Sequence, residues 1–283
     1  MGLGGYLCWT AAAREIRKLT GENIKMLPVE QHGNFLKLIN SPVFENNCDF
    51  AVSGESNQIV LPLVLNNPRA NYCKQDLPNK AVHRTDSHII QQICECYGIK
   101  NPELKCYINL TDEEKSFAKE FHEKEIGSRK FLTIEPFSKS NYTPNRSYPF
   151  EKWQKIVDDL KDEIAFVQVG NSGKVLDGVI DATGKTTFRE AIAIIERSSL
   201  FLATESGLVH AATAVSTRSI VIITGYQALK MVAYPQNINV NISSHGPCGL
   251  KTHCAECEAD ARRHDFKQIV NLVKLTLEKQ EEK

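Results

Sequence analysis

The sequence predicts an α/β protein built around a parallel sheet whose two faces are covered by helices. In the second half of the chain, short apolar runs alternate with segments whose apolar residues recur at helical spacing. Several of these helices begin at capping residues, and the apolar run Leu200–Ala203 leads directly into a Ser-Gly turn and a helix of small residues. Such alternation is typical of parallel sheets, because each parallel connection needs a crossover.

Composition and charge exclude several classes of protein. The chain has 283 residues, and its 34 basic and 34 acidic side chains cancel, so no net field favours nucleic acid as a partner. No apolar run approaches the roughly 18 residues of a membrane helix, and we see no secretory signal. The nine cysteines are an odd number without the spacing of a disulfide framework. We therefore expect a cytoplasmic protein with reduced thiols and at most peripheral contact with the inner membrane.

The first half of the chain, residues 1–128, is predicted to form a short domain. It opens with a glycine-rich turn, Gly2–Gly5, a kind of turn that brings main chain close to a phosphate or a sugar. A strand normally precedes such a turn and only Met1 does so here, so either this domain lacks its first strand or the sequence begins after it. The elements predicted next are a helix over Tyr6–Leu19, strands over Asn23–Val29 and Gln58–Leu65, an amphipathic segment over His32–Asn40, a helix over His88–Tyr97, and a helix capped by Thr111 and Glu114 that runs to about Glu125.

The second half reads as a second domain over residues 129–265, followed by a final helix and charged tail over residues 266–283. The boundary is placed at Ile126–Ser128, just before the first strand of the parallel sheet. The predicted strands are Lys130–Ile134, Ile164–Val169, Leu200–Ala203 and Arg218–Thr224, and the predicted helices are Phe150–Leu160 and Phe188–Arg197, the latter capped by Thr187 and Glu190.

Polar and charged residues collect in the loops that follow these strands. The turn at Ser206-Gly207 opens a helix with His210 one turn in, and a helix N-terminus of this kind holds phosphate. The other polar residues of these loops are Glu135, Ser138, Lys139, Arg146, Asn171, Ser172, Lys174 and Glu205. Because parallel strands present their carboxyl ends at one edge, we expect a shared crevice suited to a sugar nucleotide diphosphate. Its cations would offset the charge that develops on a departing diphosphate.

The order of several motifs resembles the donor half of the bacterial heptosyltransferase-type glycosyltransferases. The motifs are RSYPFEKW, DATGKTTFREA, ATESGLVHAATAV and Pro247-Cys248, and the segment ESGLVH is the most specific. The resemblance implies a GT-B fold, with two Rossmann-like domains facing a cleft, and inverting transfer without a catalytic cofactor. It implies a nucleotide-sugar donor, with ADP-heptose favoured, and a glycan, lipid-linked or protein acceptor. The residues implied are Lys139, Arg146, Thr204, Glu205, Ser206, Gly207 and His210 on the donor side, and Gly4 and Gly5 on the acceptor side.

One departure from the family concerns the catalytic base. The family has a carboxylate directly after its first glycine-rich turn, and this chain has Gly5 followed by Tyr6 there. We therefore consider Asp86, His88 and Glu135 as alternative bases. Two other functions stay open: a sugar-nucleotide epimerase or hydrolase of the same fold, and a non-catalytic donor-binding subunit.

A cluster of cysteines near the end of the second domain predicts a metal site. Cys248, Cys254 and Cys257 lie within ten residues, with His245, His253 and His264 nearby, which suits three thiolates and an imidazole or four thiolates. The motif resembles the iron-bound cysteine cluster of heptosyltransferases that modify autotransporter proteins. We expect structural iron or zinc, with His264 or a distant cysteine as alternatives for the fourth ligand.

Overall fold

A computed structural model describes residues 2–21, 23–51, 59–70, 72–137, 142–171 and 173–281. In the first half, a long helix is followed by short strands and two further helices. These elements are α1 Leu3–Thr20, β1 Ile24–His32, β2 Phe35–Leu38, β3 Ile59–Val64, β4 Cys73–Asp76, β5 Ala81–His83, α2 Ile89–Glu95 and α3 Asp112–Phe121, and a π-helical turn, His122–Ile126, extends α3.

The first half carries a small mixed sheet in the order β2-β1-β3. Strand β3 pairs in parallel with β1 at one edge, which is where its Pro62 is tolerated because proline cannot donate a ladder hydrogen bond. The amphipathic segment predicted over His32–Asn40 forms β2, a hairpin partner of β1. The glycine-rich turn is shorter than predicted: Gly2 is the N-cap of α1, so Gly4 and Gly5 lie inside the first helical turn.

The second half contains a six-stranded parallel sheet flanked by helices. Its elements are β6 Phe131–Glu135, α4 Phe150–Leu160, β7 Ala165–Gln168, β8 Ile180–Asp181, α5 Phe188–Arg197, β9 Leu200–Thr204, α6 Gly207–Ala214, β10 Ser219–Ile223, α7 Leu229–Val232, β11 Ile238–Asn241, α8 Ala255–Arg263 and α9 Lys267–Glu281. The strand order is β11-β10-β9-β6-β7-β8, so the direction of winding reverses between β6 and β9. The carboxyl ends of β6 and β9 therefore form the topological switch point, where open α/β sheets bind ligands.

Two hydrophobic cores cover the two faces of this sheet. One contains α4 and α9, with Trp153 fully buried in it. The other contains α5 and α6 and is continuous with the core of the first half, including Trp9 of α1. The division at Ile126–Ser128 into separate domains stays a prediction. Among the described residues, no helix combines the length and the apolar character that crossing a membrane requires.

A buried arginine joins the two halves. Arg189 projects from α5 with 5% of its surface exposed and donates to both carboxylate oxygens of Glu114 at the start of α3. The same guanidinium donates to the carbonyls of Pro42 at 2.8 Å, Glu45 at 3.2 Å and Asn109 at 2.5 Å. A guanidinium suits this position because it carries five N–H donors in a fixed plane. One side chain of the second half thus donates hydrogen bonds to three separate segments of the first half.

We predict that Arg189→Ala lowers the free energy of unfolding by about 3–5 kcal/mol, because it leaves a partly buried carboxylate and three carbonyls without their donor. Chemical denaturation measures the change. Arg197→Ala, at the exposed end of the same helix, is the matched control and should cost less than about 1 kcal/mol. Equal losses in the two variants would contradict a special role for Arg189.

Candidate active site

The switch point is occupied by a hydrogen bond between two predicted site residues. Glu135 ends β6, and Ser206 follows β9 as the N-cap residue of α6. The Ser206 hydroxyl donates to Oε2 of Glu135 instead of capping its own helix. Both side chains are buried, and burial raises the pKa of Glu135 to about 8, against the opposing effect of the Ser206 hydrogen bond. Glu135 is therefore largely uncharged at neutral pH.

A second buried carboxylate lies one residue before Ser206. Glu205 Oε2 accepts a hydrogen bond from the backbone N–H of Thr224 at 3.0 Å, and its Oε1 lies 2.9 Å from the Thr224 hydroxyl, so it bridges the ends of β9 and β10. Burial raises the pKa of Glu205 to about 7, while the charge of Arg146 and the Thr224 hydrogen bonds act in the opposite direction. Neighbouring Thr204 is buried at the end of β9.

Arg146 is the cation whose charge acts on Glu205. Its guanidinium carbon lies 5.0 Å from the ring centroid of Tyr226 and 5.8 Å from that of Tyr142, distances typical of cation–π contacts. The preceding residue, Asn145, is buried and fixes this loop, because its carbonyl accepts from the Thr224 hydroxyl at 2.7 Å. Lys139, the other predicted cation, lies outside the described residues.

The N-terminus of α6 meets the N-terminus of α1. A β-carbon built on Gly207 would lie 3.5 Å from the backbone nitrogen of Gly4 and 3.6 Å from its α-carbon. A β-carbon on Gly4 would lie 2.7 Å from the α-carbon of Gly207, closer than real contacts allow. Two helix N-termini, each with the positive end of its dipole, therefore lie side by side at the switch point. Neither first turn contains an acidic residue, so an anion would be held by main-chain N–H groups.

The imidazole of His210 turns toward the first half of the chain. Its Nδ1 lies 2.6 Å from the Tyr234 hydroxyl and 3.7 Å from the thiol sulfur of Cys8. Gly5, which the resemblance places on the acceptor side, lies in α1 directly after Gly4, the residue that contacts Gly207. The role of His210 in donor binding stays a prediction.

Asp86 and His88, the other two candidate bases, lie just before α2. Asp86 is exposed and receives two hydrogen bonds from Arg84, which lower the pKa of its carboxyl. His88 is the N-cap of α2: its Nδ1 accepts from the backbone N–H of Ile90 at 3.2 Å. Burial lowers the pKa of His88 to about 3, so the ring is neutral at pH 7. Because Nδ1 is already an acceptor, the single ring proton must reside on Nε2, which leaves no lone pair for a substrate proton.

The cysteine cluster assembles as the spacing predicted, but with a different histidine. The Cys248 and Cys257 sulfurs are 3.5 Å apart, and His245 Nε2 lies 3.5 Å from Cys257 and 3.9 Å from Cys254. Zinc bond lengths of about 2.0–2.3 Å at tetrahedral angles place neighbouring ligand atoms about 3.5–3.8 Å apart. The ligand atoms of His245, Cys254 and Cys257 all lie within 4.8 Å of one another, so these three side chains face one point, and Cys248 lies beside Cys257. His264 is instead bonded to Tyr148 and Gln268.

A second layer of hydrogen bonds orients the His245 ring. Asp260, which is buried on α8, accepts from His245 Nδ1 at 2.9 Å and thereby directs Nε2 at the cysteines. Metal-binding histidines commonly have such a carboxylate partner. Asp260 also accepts from the Ser244 backbone N–H at 2.8 Å and from Arg263. Sequence reasoning missed Asp260, although its position three residues after Cys257 on a helix places the two side chains on neighbouring positions of one face.

Comparison with solved structures defines the class of protein. The chain is similar to a family 9 glycosyltransferase of Veillonella parvula (TM-score 0.68, 13% identity, covering 99% of this chain and 95% of that one). It is also similar to the E. coli ADP-heptose LPS heptosyltransferase II (TM-score 0.66, 11% identity, covering 99% of this chain and 97% of that one). A third similar structure is TibC, an iron-containing dodecameric glycosyltransferase of enterotoxigenic E. coli (TM-score 0.69, 13% identity, covering 99% of this chain and 74% of that one). The fold is therefore GT-B, as the resemblance implied.

The family follows from the sequence itself. The profile of glycosyltransferase family 9 (heptosyltransferase) matches residues 62–259, and the chain belongs to that family. The protein is thus a glycosyltransferase, in agreement with the prediction. No curated protein sequence matches the chain.

The two buried carboxylates predict a pH dependence of stability. Each has a pKa above its unfolded value of 4.5, at about 8 for Glu135 and about 7 for Glu205, so the native state binds protons that unfolding releases. Their contribution is fully present below pH 4.5 and is lost as the pH rises through 7–8, by at most about 1.4 kcal/mol per pH unit for each group.

Urea denaturation of Glu135→Gln between pH 5 and 9 tests this expectation. The variant should lose less stability than the wild type as the pH rises, because it carries no titrating carboxyl at this position. Glu196→Gln, at an exposed position of α5, should keep the wild-type slope. A wild-type slope in Glu135→Gln would show that Glu135 titrates in its ordinary range.

Proposed function

We propose that this enzyme transfers a sugar, with heptose favoured, from a nucleotide diphosphate donor to an acceptor hydroxyl with inversion at the anomeric carbon. The observation that carries the proposal is the meeting of two helix N-termini at the switch point, with Arg146 close enough for its charge to act on Glu205. Two structural neighbours are named for the same donor: the E. coli heptosyltransferase II for ADP-heptose, and TibC as a complex with ADP-D-beta-D-heptose. ADP-heptose is therefore the donor we favour.

The diphosphate would lie against the N-terminus of α6, with Arg146 neutralising it. Ionised carboxylates at this place would repel the donor, but burial keeps Glu135 largely protonated and Glu205 partly so at neutral pH. A protonated Glu135 is also a hydrogen-bond donor for a phosphate oxygen. Glu205, which Thr224 holds at both oxygens, acts by fixing the loop of Arg146.

These placements favour a reaction in which stabilisation of the departing diphosphate contributes more than deprotonation of the acceptor hydroxyl. Inversion requires the acceptor oxygen to attack the face of the sugar opposite the diphosphate, whereas Glu135 is bonded to the helix N-terminus that would hold the diphosphate. Asp86 is paired with Arg84, and His88 has no free lone pair. In an oxocarbenium-like transition state the bond to the diphosphate breaks early and the acceptor hydroxyl passes its proton late to solvent water, so electrostatic stabilisation of the leaving group dominates.

Arg146→Ala tests the proposal, with Arg218→Ala as the matched control. Arg218 is an exposed cation at the amino end of β10, on the opposite edge of the sheet. We expect an ADP-sugar at about 100 times its dissociation constant to stabilise the wild type by about 2.7 kcal/mol in thermal unfolding. Arg146→Ala should weaken transfer at least tenfold, about 1.4 kcal/mol of transition-state stabilisation, while Arg218→Ala transfers normally.

The other outcomes separate the rival functions. If no ADP-, GDP-, UDP- or CMP-sugar stabilises the protein, the donor site is refuted. Donor consumption without any acceptor would identify a hydrolase or epimerase instead. Tight binding without consumption, against every acceptor tried, would identify a donor-binding subunit.

We further propose that Cys248, Cys254, Cys257 and His245 bind one structural zinc or iron ion. Three thiolates and an imidazole complete a tetrahedral shell and leave no open position for substrate, so the ion would stabilise the fold. TibC, which is iron-containing, supports this proposal. The ion would hold segment 245–257, to which Asn145 is bonded through the carbonyls of Leu250 and Thr252, both at 2.8 Å.

Elemental analysis of Cys257→Ser tests the metal site. We expect the variant to lose one ion per chain relative to the wild type and to unfold at a lower temperature, because metal binding contributes directly to folding. Cys96→Ser, on a half-buried cysteine just after α2, should keep the wild-type metal content. Equal metal content in both variants would overturn the assignment.

A further inference from the structure

Two thiols, an imidazole and a phenol converge between the two halves of the chain. We call Cys8, Cys106, His210 and Tyr234 the junction cluster. Cys8 lies on α1, Cys106 on the segment before α3, His210 on α6 and Tyr234 just after α7. The ligand atoms of Cys8, Cys106 and His210 all lie within 4.8 Å of one another. Four chain segments, two from each half, thus present their side chains to one point.

Two distances within the junction cluster are close to those between neighbouring ligands of one small ion. The Cys8 sulfur lies 3.7 Å from His210 Nδ1, and the Cys106 sulfur lies 3.3 Å from the Tyr234 oxygen. Neighbouring atoms in a tetrahedral zinc site with sulfur and nitrogen ligands are about 3.5–3.8 Å apart. The Tyr234 oxygen is 2.6 Å from His210 Nδ1, which is a direct hydrogen bond. A small rotation of Tyr234 would therefore be needed before its oxygen could become a ligand.

Burial and charge point to the same class of ion. Cys8, Cys106 and Tyr234 have no exposed surface, and His210 is half-buried. A divalent ion bound by two thiolates is neutral, so the complex satisfies the requirement that buried charge be compensated. Thiolate and imidazole ligands favour zinc among the abundant divalent ions, whereas magnesium and calcium need oxygen ligands.

We propose that Cys8, Cys106 and His210 bind a zinc ion, with Tyr234 next to the fourth position. On binding, the two thiols release two protons and form two zinc–sulfur bonds, and neutral His210 contributes a nitrogen lone pair. The ion links α1 of the first half to α6 of the second, one turn beyond the contact between Gly4 and Gly207. It is separate from the ion of the Cys248 cluster and shares no ligand with it.

A cavity lies next to the junction cluster. His88 packs edge-on against Tyr234, with ring centroids 4.7 Å apart, and also lines a cavity of about 600 Å³. Leu104 and Ala233, neighbours in sequence of Cys106 and Tyr234, line the same cavity. The junction cluster is therefore adjacent to a cavity that is lined by neighbours of its residues and by none of the four themselves.

Zinc stoichiometry after loading and desalting tests the proposal. Cys8→Ser and Cys106→Ser should each bind one zinc ion fewer per chain than the wild type. Cys94→Ser, on a buried cysteine of α2 outside the cluster, should bind as much as the wild type. Unchanged zinc content in both cluster variants, with native circular dichroism, would overturn the proposal.

A spectroscopic measurement keeps the test decisive if the cluster variants fail to fold. In the triple variant Cys248→Ser, Cys254→Ser and Cys257→Ser the Cys248 site has no thiolate left, while the junction cluster is intact. X-ray absorption of this variant loaded with one zinc ion should show two sulfur neighbours at about 2.3 Å and nitrogen or oxygen neighbours at about 2.0 Å. Coordination without sulfur, or no retained zinc, would overturn the proposal.

Discussion

The contact between Gly4 and Gly207 is the constraint on which the candidate site depends. Only a residue without a β-carbon allows α1 to approach the first turn of α6 this closely, because a β-carbon on Gly4 would lie 2.7 Å from the Gly207 backbone. The approach brings together two helix ends of the same polarity, which disfavours the contact unless an anion lies between or beside them. Other bonds between the halves, Arg189 above all, must therefore hold the helices in place.

Burial determines the charge state of the site. Two glutamates at the ends of neighbouring strands would ordinarily be anionic and would repel a diphosphate. Here the loss of solvation outweighs the Ser206 hydrogen bond at Glu135, and at Glu205 it outweighs the charge of Arg146. The same packing that positions the two carboxyl groups therefore also keeps Glu135 largely and Glu205 partly protonated at neutral pH, which would allow a phosphate to lie next to them.

The sequence predicted those features whose physical cause is local. The capping boxes at Thr111 and Thr187 involve residues three positions apart, and both are present as predicted. The partner of Glu205 could not be predicted in this way, because Thr224 belongs to the next strand. Cys8 and Cys106 likewise meet only through the packing of α1. His245 and His264 both lie near the cysteines in sequence, so the sequence does not show which one joins the cluster. In the structure His264 follows α8 and is bonded to Tyr148 instead.

Asn145 shows how the cysteine cluster bears on the chemistry. Its amide nitrogen donates to the carbonyls of Leu250 and Thr252, and its amide oxygen accepts from the backbone N–H of Cys254 at 2.9 Å. Its own carbonyl accepts from the Thr224 hydroxyl that also contacts Glu205. A buried amide with every group satisfied is rigid, and Arg146 is the next residue. The segment that carries Cys254 therefore fixes the main chain next to Arg146, because any shift of residues 250–254 would have to break these bonds.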